Sequence, residues 1–156
     1  MGVPVVIDGY NLLYARGDAP SAASRAGLVR DLIRWAEARQ RRAVVVFDAW
    51  ARGERLELEE TRGPLTVYFT RYGERADQHI VRWVTAHPEA VVVTSDRAVQ
   101  QGARRRGAAV LDASAFAARL QAALEPSGAD EAEEDAPEAG RRAPVRGRQA
   151  RWLRGL

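Results

Sequence analysis

The 156-residue chain contains no cysteine and no lysine. Without cysteine there are no disulfides, no thiolate metal sites and no cysteine nucleophile. Without lysine, the P-loop and Schiff-base chemistries fall away as well. A bound metal would have to be held by oxygen ligands or by the two histidines, which favours Mg²⁺ or Mn²⁺ over Zn²⁺. Apolar runs near the ~20 residues of a membrane span are missing too. The first residues lead straight into a strand-like run with no signal-peptide pattern, so the expected location is cytoplasmic, with no membrane partner.

What is present is arginine: all 24 basic residues are Arg, and the net charge is +3. A GC-rich coding sequence accounts for most of that bias. Its physical consequence stands regardless, because the guanidinium fork matches phosphate oxygens bidentately. The small net charge permits nucleic-acid binding without demanding it. The length allows one domain with a proper core, plus a tail.

Short apolar runs recur along the chain: VPVVID (3–8), AVVVFD (43–48), LTVYFT (65–70), AVVVTS (90–95) and AAVLD (108–112). Each reads as a buried strand. Helical patterns lie between them at Ser21–Gln40, with Leu28, Leu32, Ile33, Trp35 and Ala36 on one face, at about 76–87 and at 96–106. A last helix, capped by Ser114, runs to about Leu124. The polar stretch from Ala49 to Gly63 reads as an exposed loop or a short irregular helix, and Tyr72-Gly73 as a turn. Alternation of this kind predicts an α/β domain with a parallel sheet covered on both faces. Composition changes at Pro126: residues 129–139 hold six acids and no Arg, and 140–156 hold six Arg and no acid. The expected organisation is a domain over 1–125 and a solvated tail over 126–156. The end of that tail, RQARWLRGL, reads as a short basic helix.

Four aspartates stand out. Asp8, Asp48 and Asp96 close apolar runs, and Asp77 opens the helical stretch ADQHIVRWV. The carboxyl ends of parallel strands share one edge, where ligands bind. Taken singly, each aspartate is a cap or turn residue, and Gly9 is a residue that lets the chain turn sharply after Asp8. Together on one edge they would repel one another unless a cation sat between them. Asn11 adds an amide oxygen beside Asp8. Arg16, Arg52, Arg55, Arg71 and Arg97 fall in loops or turns that can face this edge and hold phosphates, although a solvated surface charge is the commoner role for any one of them. Tyr10 or Trp50 would suit base stacking, or equally the core. His79 and His87 are not spaced as a metal pair and read as structural or surface residues.

The segments IDGYN (7–11), VVVFDAW (44–50), VYFTRYGERADQHI (67–80) and VTSDRAVQ (93–100) resemble, in order, the YacP-like branch of the NYN domains. These are PIN-like nucleases, and the branch includes a ribosome-associated endoribonuclease that cleaves messenger RNA. The resemblance covers about residues 3–124 and implies a PIN-like three-layer α/β/α fold with a central parallel sheet. It implies a Mg²⁺- or Mn²⁺-dependent endoribonuclease acting on single-stranded RNA, with the ribosome as a further partner. It also implies that Asp8, Asp77 and Asp96 match the acidic triad, with Asn11 and Asp48 in support. Many PIN-like enzymes carry another acid soon after the TSD aspartate; here Arg97, Ala98 and Val99 follow, so the ligands of a second metal are left open. The family's long basic C-terminal segment is replaced by an acidic linker and a shorter Arg-rich end. The rival reading is a non-catalytic RNA- or ribosome-binding module of the same fold. A haloacid-dehalogenase-type phosphatase is disfavoured, because no second Asp stands two residues after Asp8 and the chain has no lysine.

Overall fold

A computed structural model describes residues 2–48, 58–71 and 74–125. Among them six strands and five helices run in the order β1 (Val5–Asp8), α1 (Gly9–Ala15), α2 (Ala22–Arg39), β2 (Ala43–Phe47), β3 (Leu58–Arg62), β4 (Leu65–Phe69), α3 (Ala76–Ala86), β5 (Val91–Val93), α4 (Arg97–Arg105), β6 (Ala109–Leu111) and α5 (Ala113–Leu124). They form one sheet in the order β3-β4-β2-β1-β5-β6. All neighbours are parallel except β3 and β4, which form an antiparallel hairpin. The expected three-layer α/β/α arrangement is therefore what the chain adopts, with one antiparallel edge strand added.

The period-2 alternation of strand side chains builds two cores. Val5 and Ile7 join Leu12, Leu32, Trp35 and Phe116 on the face covered by α1, α2 and α5. Val6 turns the other way, against Ile80, Val84, Val99 and Ala103 of α3 and α4. Each of these side chains is at most 2% exposed, so each contributes roughly 1.5–3 kcal/mol if large and aliphatic. Strand order reverses around β1: the chain leaves it toward β2 on one side, and returns to it through α3 into β5 on the other. Right-handed crossovers then place the helices on opposite faces and open a crevice at the carboxyl ends of β1 and β5.

Three local expectations are corrected. Residues 58–62 (LEETR) form a strand rather than a loop; all five are exposed, and their pairing is imposed by β4 across the Gly63-Pro64 turn, where Gly63 takes φ +59°. Residues 9–15 form a helix directly after β1. Gly9 is required there by crowding rather than by a sharp turn, because a Cβ would lie 2.3 Å from Cε1 of Phe47. Helix α5 is capped by Asp112 one residue before its start, not by Ser114, whose backbone N–H donates to that carboxylate at 3.1 Å. Trp50, Arg52, Arg55, the Tyr72-Gly73 turn and the tail from residue 126 lie outside the described residues.

Candidate active site

Asp8 ends β1 at the crevice and caps α1, its Oδ1 accepting the Asn11 backbone N–H at 3.4 Å. Its other oxygen accepts the Thr94 hydroxyl at 3.4 Å. Thr94 follows β5 and is fully buried; its Oγ1 in turn accepts the Asp96 backbone N–H at 3.1 Å. One hydroxyl thus ties the Asp8 carboxylate to the backbone that carries Asp96. The Asn11 side chain makes a second tie, its Oδ1 accepting the Ser95 backbone N–H at 2.7 Å. Ser95 then fastens the next element, its Oγ accepting the Ala113 N–H at 3.2 Å.

Asp96 caps α4 and accepts the N–H groups of Ala98 and Val99 at 2.9 and 3.2 Å through a single oxygen, Oδ1. Asp48, just after β2, reaches across to α3 and accepts the Ala76 N–H at 2.5 Å. Asp77 lies in the first turn of α3, 3.6 Å from the Arg75 guanidinium. Glu74 pairs with Arg82 through one oxygen; the other is buried without a hydrogen-bond partner among the described residues.

The electrostatics order these acids. Burial pushes the Asp8 carboxyl up to about 6, and the charges of Asp48 and Asp96 add to the rise while its two hydrogen bonds oppose it. Burial also raises Asp48; the Ala76 N–H and Arg75 lower it, and Asp77 raises it again. The acids therefore form a row, Asp96–Asp8–Asp48–Asp77, with Asp8 the most deeply withdrawn from water. Thr94 is the member that sequence reading passed over; its signal was its place at the end of a buried strand beside Ser95-Asp96.

Of the remaining candidates, some are already engaged and two stand at the edge. Arg16 is bound to Asp31 at 2.8 Å and lies 3.6 Å from Asp18. Arg71 and Arg97 are exposed at the carboxyl edge. Tyr10 packs edge-on against Phe47 and accepts from Arg25 at 3.2 Å, so its ring belongs to the core wall. His79 stacks on Tyr68 and His87 on Trp83, both structural placements.

Oxygen donors around a desolvated carboxylate suit a hard divalent cation. Among the described residues no three Asp, Glu or His side chains converge into a ready cage for one ion. Mg²⁺ does not need one, since it keeps several waters and is held through one or two carboxylates and substrate phosphates. Asp8 with Asp96 or Asp48 fits that demand.

A row of acids at the switch point of a PIN-like α/β sheet defines a domain of the nuclease type. The chain belongs to the YacP-like NYN domain family, which matches residues 5–149. That family is nuclease-like and directed at RNA, and PIN-like nuclease domains generally use divalent metals. Among the solved structures that share the fold are two crystal structures of one protein. The crystal structure of Rae1 (YacP) from Bacillus subtilis is 21% identical, with a TM-score of 0.64 over 90% of this chain and 85% of that one. Its W164L mutant is 20% identical, with a TM-score of 0.62 over 99% and 92%. No curated protein matches the chain. Among the described residues no helix is long and apolar enough to cross a membrane.

Proposed function

We propose that the protein is a metal-dependent endoribonuclease that cleaves single-stranded RNA, with messenger RNA at the ribosome as its substrate. The observation that carries this reading is Asp8, a carboxylate buried beside two further carboxylates, whose charge is costly until a cation shares it. Asp8 and Asp96 would hold the ion, with Asp48 and Asp77 extending the acidic row toward a second position. A divalent cation there would supply a bound water of lowered pKa and positive charge for the developing phosphate charge. Thr94 would join the Asp8 carboxylate to the Asp96 backbone, and Asn11 would fasten the β1 turn to Ser95 beside it. Arg71 and Arg97 stand at the same edge for phosphate oxygens. Water as nucleophile gives a 5′-phosphate and a 3′-hydroxyl.

The test is a circular single-stranded RNA incubated with the protein and Mg²⁺ or Mn²⁺, with and without ribosomes. Linear products ending in 5′-phosphate and 3′-hydroxyl support the reading. A 2′,3′-cyclic phosphate, or cleavage undiminished by chelator, contradicts it. The separated pairing of the acids, with no three converging among the described residues, favours one alternative: an RNA-binding module that does not cut. Intact circles bound to the protein under all of these conditions would establish that alternative.

A further inference from the structure

Helices α3 and α4 lie side by side on one face of the sheet, both starting at the acidic edge. They meet at Gly102 and Val81, where an added Cβ on Gly102 would stand in ordinary contact, 3.4 Å from Cγ2 of Val81. Between them runs an open cleft of about 540 Å³. Its upper end is Asp77, a member of the acidic row, followed by Gln78. Further down come Arg82, one of whose guanidinium nitrogens is held by Glu74, then Thr85 and Arg106. The Arg106 guanidinium is pinned across the cleft: Nε donates to Thr85 Oγ1 at 2.8 Å and Nη1 to the Gly102 carbonyl at 2.9 Å. Arg104 and Arg105 are exposed on the last turn of α4 beside it.

The cleft is therefore polar in charge, with a carboxylate where it meets the site and guanidinium groups where it leaves it. From Asp77 to Thr85 is eight residues of helix, about 12 Å, which accommodates about two or three nucleotides. A peptide or small anion would gain little from this length and from the acid at its head. A strand whose scissile phosphate sits at the acidic row needs repeated cationic contacts beyond it, and these are spaced along the cleft. We infer that the α3–α4 cleft carries one flank of the RNA strand away from the acidic edge, with Arg82 and Arg106 contacting its phosphates. This rests on the reading of the substrate as single-stranded RNA.

The test is binding of a fluorescent 12-nucleotide single strand to the full chain, with metal chelated, across a range of salt. The variants are Arg82→Gln, Arg106→Gln, their double variant, and Gln78→Glu. Gln78→Glu keeps the acceptor that bonds the Arg75 N–H at 3.0 Å and adds only a negative charge to the cleft. Expected are a Kd raised about three- to tenfold by each single change, and a salt slope (log Kd against log salt) lowered by about 1.4 in the double variant. Gln78→Glu should weaken binding with an unchanged melting temperature, which a structural role for the arginines would not produce. Wild-type affinity and slope in all four variants would overturn the cleft while leaving the RNA reading intact. A wild-type chain that binds no RNA would overturn both.

Discussion

The side-chain oxygen of Asn11, in the first turn after β1, accepts the backbone N–H of Ser95, after β5, at 2.7 Å. That bond closes the switch-point crevice from one side, while Thr94 closes it from within by joining Asp8 to the Asp96 backbone. Asn11 is thus a positioning residue. Asn11→Ala should lower single-turnover cleavage by on the order of 10–100-fold, because small displacements of reacting groups are costly. RNA affinity should stay near wild type, since the side chain faces the protein. Equal losses in rate and affinity would show instead that Asn11 touches substrate.

Thr94→Val removes the hydroxyl while keeping shape. Asp8 then loses one of the two hydrogen bonds that hold its pKa down, and the partly buried Asp96 N–H loses its acceptor. The expected cost is about 1–3 kcal/mol in denaturant unfolding, together with a more alkaline onset of activity. Thr94→Ser should restore both, and a Val variant matching wild type in stability and pH profile would remove Thr94 from the account.

Gly9 faces the Phe47 ring, itself stacked on Phe69 at 5.3 Å. Gly9→Ala should destabilise by about 1–3 kcal/mol through overpacking. Pairing it with Phe47→Leu should cost less than the two single changes added together, because the smaller side chain gives room. Strict additivity in that cycle would mean that the clash is relieved elsewhere.

The raised pKa of Asp8 has a definite sign. Its carboxyl is protonated more readily in the folded chain, so the stability it contributes is full below about 4 and is lost as pH rises to about 6. A rise of about two pKa units corresponds to about 3 kcal/mol. Metal-free protein should therefore lose on that order of stability between pH 4 and 7, over and above other groups. Asp8→Asn should flatten that part of the profile and melt higher than wild type at pH 7 in chelator. Adding Mn²⁺ should then stabilise wild type but not Asp8→Asn, by about 2.7 kcal/mol at a hundredfold excess over Kd. Equal responses of the two proteins to Mn²⁺ would move the ion away from Asp8.

The continuous apolar strands and their terminal aspartates were legible because burial on both faces leaves an unambiguous mark on composition. Strand β3 was not, because Glu59, Glu60, Thr61 and Arg62 are all exposed and no apolar period marks an edge strand. Its charges suit an edge that must not pair with other chains. Helix α1 was hidden because it opens on Gly9, whose need is a contact with Phe47, 38 residues on, rather than a local turn. The acidic row was visible as four separate positions. Which acids feel one another depended on registers and cap geometry that spacing does not encode. Arg82 and Arg106 escaped notice for a related reason: surface arginines on two helices become a lined cleft only once the helices are packed together.

The most direct measurement is single-turnover cleavage of a labelled single-stranded RNA in Mn²⁺, comparing wild type with Asp8→Asn and Asp96→Asn at matched RNA affinity. Wild type should cut, and both variants should fall by at least about a thousandfold, the scale expected when the groups that place charge at the reacting phosphate are lost. Asn variants that cut as fast as wild type would contradict the assignment of this edge as the catalytic centre.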